Sequence, residues 1–394
     1  MAMLSEADAY EKVLAHGTSG GTEVLPLQGA FGRILRQSVT AQVAEPPFDC
    51  SAMDGFALGD VASERFHIAG EQPAGRDLGL LVRPGEAVRV FTGAPLPAGT
   101  VAVVPQEDVE ETAPDALRLK EAVEPGEFIR SRGQHLCPGQ VILEPGIPLT
   151  ASRLALMASQ GMTEATVGSL PRVSILTTGD ELQTPGIPLE PGQIYESNGI
   201  LLRNQCRQAG IDEVRIERSP DDPAEMKAIL ERLLEASDFL FICGGVSVGA
   251  RDFVKGALTE LGVETVFWRV RMQPGKPLYF GVRDRTQVFG LPGNPVSGLV
   301  CLQVFGLPAL RKWQGAGADV LKGPTRKIRM GEALINSGER PHYFRGRVDS
   351  AGQFRATGRQ VSNALFGLSK AEVLVRVEAG QTLEKGAMVQ ALEL

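Results

Sequence analysis

The chain has 394 residues, 43% of them apolar, a formal net charge of −7 and five cysteines. That length exceeds one ordinary core and implies about two to four domains. The acidic balance excludes a general nucleic-acid binder, which would carry a basic stripe, and no run of about eighteen apolar residues is present to span a membrane. The opening Met1-Ala2-Met3-Leu4-Ser5-Glu6-Ala7-Asp8 has neither the basic nor the apolar region of an export signal. Cysteines at 50, 137, 206, 243 and 301 form no CxxC pair and suit reduced thiols. Both features read as a cytoplasmic protein. An anionic ligand would need local backbone donors, placed Lys or Arg, or a bound cation to overcome the overall field.

From residue 1 to about 165 the chain is rich in Gly and Pro. Helices are predicted from Ser5 to His16 and from Ala151 to Ser159, the second capped by Thr150 and stopped by Gly161. Between them, Arg83-Pro84-Gly85 and Glu124-Pro125-Gly126 punctuate hairpins. The expected division is a helical domain from 1–45 and 140–168, with a β domain inserted at 46–139. Within it, Pro47 to Ala57 packs two carboxylates, a hydroxyl and a glycine between apolar anchors. Asp54-Gly55 is a turn signal. It reads either as an ordinary surface hairpin or as a bend that presents the Asp54 carboxylate.

Residues 169–315 alternate strand and helix. Val173 to Thr177, Val214 to Ile216 and Asp238 to Cys243 read as strands. Ser197 to Gln208, ended by Gly210, and Pro223 to Leu234 read as helices. Repeated β-α-β implies a doubly wound, mainly parallel sheet with helices on both faces. Ligands of such sheets bind at the carboxyl ends of the strands, so the loops after 177, 217, 243 and 290 are the places to search. Residues 320–394 alternate in short bursts such as Val373 to Val377 and fit a small β-barrel.

Four constellations could carry chemistry. Gly244-Gly245-Val246-Ser247-Val248-Gly249 follows a strand and precedes a predicted helix from Asp252 to Leu261. Its glycines let the backbone approach a ligand, and successive N–H groups form an anion site. No GK[ST] closes it as a Walker loop; a plain strand-to-helix connection is the alternative, but three glycines and a serine exceed what a short turn requires. In Leu291-Pro292-Gly293-Asn294-Pro295-Val296-Ser297, two prolines stiffen a second candidate anion site, although taken alone the loop reads better as Asn294 or Ser297 capping the helix that runs to Trp313. Lys276 stands between Gly275 and Pro277 on a constrained turn, as an anion contact or a solvated lysine. Asp180, Glu181, Asp221, Asp222 and Asp252 fall at element ends on one sheet edge. Acids facing an anion require a divalent cation between them, which points to Mg²⁺; each taken singly reads as a helix cap. The four histidines show no ligand spacing and no nucleophile stands with one of them, which disfavours a zinc site or a covalent hydrolase.

Taken in order, the SAMDG segment at 51–55, Phe91-Thr92-Gly93-Ala94-Pro95, Thr178 to Leu182, the glycine loop with Asp252, Pro274-Gly275-Lys276-Pro277 and the 291–297 loop resemble the molybdopterin molybdenumtransferases, the MoeA and gephyrin E-domain family, over nearly the whole chain. Three departures stand out: Phe56 for the usual Tyr, His135 where the family has Asp, and Gln273 where some members carry Lys. The resemblance implies conversion of adenylylated molybdopterin and molybdate into molybdenum cofactor with release of AMP. It also implies a four-domain homodimer whose cleft is completed by the partner subunit's N-terminal region. By position, it assigns catalysis to Asp54, Thr92, Glu181 and Lys276. Pterin, phosphate and molybdate contacts fall to Ser51, Gly244, Gly245, Ser247, Gly249, Pro292, Pro295 and Ser297, with Arg345 and Ser362 completing the molybdate pocket. Glu181, Asp221 and Asp252 would hold Mg²⁺. An upstream molybdopterin adenylyltransferase and downstream cofactor-handling proteins are the implied partners, with no nucleic acid or membrane.

Two other readings stay open at this stage: a non-catalytic scaffold that keeps the fold, and the adenylyltransferase of the preceding step. Retention of Asp54, Glu181, Asp252 and Lys276 counts against the first. The flanking N- and C-terminal regions count against the second. The sequence does not choose between molybdate and tungstate.

Overall fold

The computed structural model describes residues 3–245 and 253–394, and the chain forms two compact units. The first comprises 1–37, 144–155 and 163–394; the second comprises 38–143 and 156–162. No helix among the described residues is long and apolar enough to cross a membrane.

The centre of the first unit is a six-stranded sheet. Val214–Ser219, Val173–Thr178, Phe239–Cys243 and Thr286–Leu291 lie side by side in parallel, followed by antiparallel Tyr279–Arg283 and Glu264–Trp268. The expected mainly parallel sheet thus ends in an antiparallel pair: Tyr279–Arg283 opposes the four parallel strands, and Glu264–Trp268 opposes Tyr279–Arg283 in turn. Every residue of Phe239–Cys243 is buried because successive side chains enter different cores. Phe239 and Phe241 join Phe289 and Phe280, with the Phe241 and Phe289 rings 5.2 Å apart. Leu240 and Ile242 instead meet Met226, Leu230 and Leu233 of helix Pro223–Ala236. Asp222 caps that helix by accepting the Glu225 amide at 2.8 Å, with Pro223 opening it.

A closed five-stranded barrel follows, built from Thr325–Met330, Gln353–Ala356, His342–Val348, Val373–Val377 and Met388–Glu393. Its interior holds Ile328, Phe344, Phe354, Val373 and Val375. Tyr343 and Leu374 point the other way and join the core of the central sheet. Helix Glu6–Ala15 secures this arrangement. Glu6 accepts the Tyr343 hydroxyl at 2.6 Å and pairs with Arg376 at 3.0 Å.

In the second unit the sheet order is Ala102–Pro105, Gly55–Leu58, Glu86–Val90, Arg65–Gln72, Ala116–Leu119 and Val109–Ala113. Gly55–Leu58 buries both faces, with Phe56 and Leu58 in one core and Ala57 in the other. Gly55 is required for close approach: a Cβ there would stand 1.9 Å from the Val104 carbonyl oxygen. The Asp54-Gly55 pair therefore owes its glycine to strand packing, and not to the turn conformation that the sequence suggested.

Candidate active site

The carboxyl ends of the four parallel strands open into a pocket of about 510 Å³. Each of the four post-strand loops contributes to it: Thr178, Gly179 and Glu181, then Asp221, then Gly244 and Gly245, then Pro292 to Pro295. That is the edge where a parallel sheet leaves its loops free to meet a ligand.

Glycine is dictated at two of these positions. Gly244 has φ +96° and a Cβ would lie 2.8 Å from the Thr178 hydroxyl; Gly245 has φ +64° and a Cβ would lie 2.4 Å from Val254. A Cβ on Gly293 would stand 3.7 Å from the Gly244 Cα, so the two anion-site candidate loops run side by side. Ser247, Gly249 and Asp252 lie outside the described residues.

The acids separate by function. Asp180 accepts the Asp221 amide at 3.0 Å and Asp222 is the helix cap. Glu181 and Asp221 line the pocket, and among the described residues their carboxylates have no hydrogen-bond or ion-pair partner. Two unpartnered carboxylates at a pocket wall are hard oxygen donors of the kind Mg²⁺ prefers. No three His, Cys, Asp or Glu among the described residues converge as a complete metal-holding group.

Several residues that organise the pocket escaped the sequence reading. Ser197 makes no capping bond; Glu196 takes its place and accepts the Gly199 amide at 2.8 Å. Asn198 donates to the Gly293 carbonyl at 2.7 Å. Asn294 does not cap its helix, and its side-chain amide reaches the Ser362 hydroxyl at 2.9 Å. The Val296 amide also binds the Ser362 carbonyl at 3.1 Å, so Ser362 is brought to the 291–297 loop from 66 residues downstream of Val296 in sequence. The available signal is Glu196, a carboxylate three residues before the Gly199 amide at the start of the helix.

Ser297 is 4% exposed, lies inside helix Pro295–Cys301 and does not line the pocket. Lys276 is exposed, and its neighbour Pro277 lines the pocket. Its turn is pinned to the barrel by the Gln273 amide on the Pro341 carbonyl and the Tyr343 amide on the Gln273 carbonyl, both 2.8 Å. Arg345 is 2% exposed, its guanidinium meets the Arg359 carbonyl, and burial pushes its pKa down. Cys243 also lines the pocket, but burial pushes its thiol pKa up, which makes it a poor nucleophile. All five cysteines are free.

On the second unit, Asp54 and Thr92 are both exposed. The Thr92 amide and hydroxyl each donate to Asp54 at 2.7 Å and hold its carboxyl below the usual range. Ser51 is fully buried; its hydroxyl donates to the Met53 carbonyl at 2.5 Å and accepts the Met53 amide at 3.3 Å. It builds the bend and presents no donor at the surface.

Glycine loops, free carboxylates and a proline-stiffened turn at the carboxyl edge of a parallel sheet define an α/β protein made to hold an anionic ligand. Family models match it in three consecutive stretches: the MoeA N-terminal region (domain I and II) over 4–161, a probable molybdopterin binding domain over 174–312 and the MoeA C-terminal region (domain IV) over 327–394. Molybdopterin molybdenumtransferase 2 of Mycobacterium tuberculosis is 36% identical across 91% of this chain and 93% of its own length. The molybdopterin molybdenumtransferase of Synechococcus elongatus is 35% identical across the whole of both chains. The crystal structure of the molybdopterin biosynthesis moeA protein from Pyrococcus horikoshii superposes with a TM-score of 0.84 at 25% identity over the full length of both. The chain belongs to the MoeA family of molybdopterin molybdenumtransferases, and its work is molybdenum cofactor biosynthesis.

Proposed function

We propose that this enzyme inserts molybdate into adenylylated molybdopterin with Mg²⁺-dependent release of AMP. The observation that carries the reading is the pairing, in one pocket, of backbone-lined loops with the unpartnered carboxylates of Glu181 and Asp221. The loops offer N–H groups to phosphate or molybdate oxygens. Glu181 and Asp221, with Asp252, would hold Mg²⁺, which would neutralise charge on the phosphoanhydride as it breaks. Lys276 and Arg345 supply positive charge for oxyanions.

The working form is a homodimer in which Asp54 and Thr92 of one protomer serve the pocket of the other. Its support is the surface around Asp54: Met53 beside it, Phe91 next to its partner Thr92, Phe128 whose carbonyl accepts the Ala52 amide, and Phe48 in the same segment are 39, 37, 40 and 42% exposed. Clustered exposed apolar side chains mark a surface that another protein covers. The direct test is incubation of the purified chain with adenylylated molybdopterin, molybdate and Mg²⁺, followed by AMP detection. AMP released only when molybdate is present supports the reading; its absence overturns it.

A further inference from the structure

The central sheet carries another cavity at the end opposite the active site. It holds about 860 Å³ and lies where strands Val173–Thr178 and Val214–Ser219 begin, with Val173 and Val214 paired side by side in its lining. The active-site pocket takes Thr178, the last residue of the first of these strands. The length of that strand, roughly 17 Å at about 3.3 Å per residue, therefore separates the two places.

Part of the lining is apolar, from Val173, Ile211, Val214 and Ala236. Arg172, Arg203, Arg207 and Arg215 supply most of the rest. Three of these arginines have a carboxylate. Arg172 is held by both oxygens of Asp238, Arg207 Nε stands 3.6 Å from Asp212, and Arg215 pairs with Glu217. Arg203 differs. It is half-buried on helix Asn198–Gln208 and makes no hydrogen bond or ion pair with any described residue. Its Nε is closed off from solvent without an acceptor, whereas its two terminal nitrogens remain open.

The fold gives no other reason for that side chain. A cation in the last helical turn is accounted for by the helix dipole, which covers Arg207. Arg203 lies one turn earlier, where that effect has faded. Long charged side chains are seldom buried unless paired, and a desolvated donor without an acceptor is costly. The lining acids Asp212 and Glu213 are exposed to solvent, and neither pairs with Arg203. An open, unpartnered guanidinium beside apolar strand starts is what a ligand with an oxyanion at one end of an apolar body would match.

We propose that this cavity is a second small-molecule site, for an organic anion whose carboxylate or phosphate is held by Arg203 and whose apolar body lies against Val173, Ile211 and Val214. The planar fork of arginine suits both oxyanions, and the cavity has the size of pockets that take such ligands. The inference is independent of the function proposed above, because it uses no residue of the catalytic pocket. Isothermal titration calorimetry of the full-length protein with phenyl phosphate and with phenylacetate tests it, and the tighter of the two identifies the head group. At least one should bind the wild type saturably, and more tightly than inorganic phosphate does. Arg203→Met keeps the apolar stem without the charge and should weaken binding about tenfold, the scale of one hydrogen bond to a charged group. Ala236→Phe fills the cavity while leaving the charge in place and should weaken binding as well. AMP release by Arg203→Met should stay at the wild-type rate; its loss would assign Arg203 to catalysis and overturn a separate site. No saturable binding of either probe to the wild type overturns the inference, as does inorganic phosphate binding equally well. Unchanged affinity in Arg203→Met and Ala236→Phe, both folded by their Tm, overturns it too.

Discussion

Thr92 gives both its backbone amide and its hydroxyl to a single carboxylate oxygen of Asp54, each at 2.7 Å. The carboxylate is exposed, so these bonds orient a charge and add nothing to a core. Hydrogen bonds to the charged form lower the pKa, and the acid therefore stays ionised below the usual carboxylate range.

Asp54→Asn should leave the fold intact, because the side chain packs against nothing buried. AMP release should fall about a hundredfold, as when one electrostatic contributor is lost. Normal far-ultraviolet circular dichroism with wild-type AMP release would rule out a catalytic Asp54. Thr92→Val tests the orientation separately. Without the hydroxyl the Asp54 pKa rises, so the acid limb of the pH–rate profile should move to higher pH while the plateau rate changes less.

If the dimer shares its sites, Asp54→Asn and Lys276→Ala are defects of different protomers at the same pocket. Each variant alone should be nearly inactive. Co-expressed, half the dimers are mixed and each mixed dimer holds one intact site, so roughly a quarter of wild-type activity should return. No recovery in demonstrably mixed dimers would place both residues at the pocket of one chain.

Divalent cation dependence should follow Glu181 and Asp221. Exhaustive chelation should abolish AMP release, and Mg²⁺ should restore it. Glu181→Gln and Asp221→Asn should each raise the Mg²⁺ concentration needed for half-maximal rate. Asp222→Asn should leave it unchanged, since Asp222 caps a helix and Asn is also a good cap. Equal effects at 221 and 222 would show that the acids act on the fold.

Gly244→Ala should cost about 1–3 kcal/mol, the scale of a strained left-handed non-glycine residue, with added crowding against the Thr178 hydroxyl. Urea denaturation reads this directly. A midpoint unchanged from wild type would mean that the loop relaxes freely and that its glycines are not dictated by conformation.

His342 predicts a pH dependence of stability. It is 8% exposed with its ring centroid 4.1 Å from that of Phe344, and burial, then Arg345 and Arg340, lower its pKa to about 4 from 6.5. The unfolded chain binds this proton more readily than the folded one, so the group's contribution is fully present above pH 6.5 and is lost as pH falls toward 4. The wild-type urea midpoint should decline through that window, and His342→Gln should decline less. Parallel profiles for the two proteins would exclude His342 as the cause.

Much of this molecule was written locally. Alternation of apolar runs and helical spacing marked strands Val173–Thr178 and Phe239–Cys243 and helix Pro223–Ala236, because a strand buried on both faces and a helix with one apolar stripe impose different periods. The location of the pocket followed from the same pattern, since βαβ connectivity forces the post-strand loops onto one edge. The Asp222 cap was equally visible, its partner being only three residues away.

What the sequence left open was which polar groups remain free. Asp180 and Asp221 read as equivalent acids until folding set the Asp180 carboxylate against the Asp221 amide and left the Asp221 carboxylate facing the pocket. Ser51 was assigned to the ligand contacts by resemblance, but burial turns its hydroxyl into its own bend. Arg345 was placed at the ligand only by resemblance and Thr357 by no sequence signal; only strand pairing sets them opposite each other and only the returning loop through Gly367 buries them. Spacing along the chain determines which groups satisfy near neighbours. Whether a side chain is left over for a ligand depends on every distant group that could have satisfied it, and that is decided when the sheet, the barrel and their loops close together.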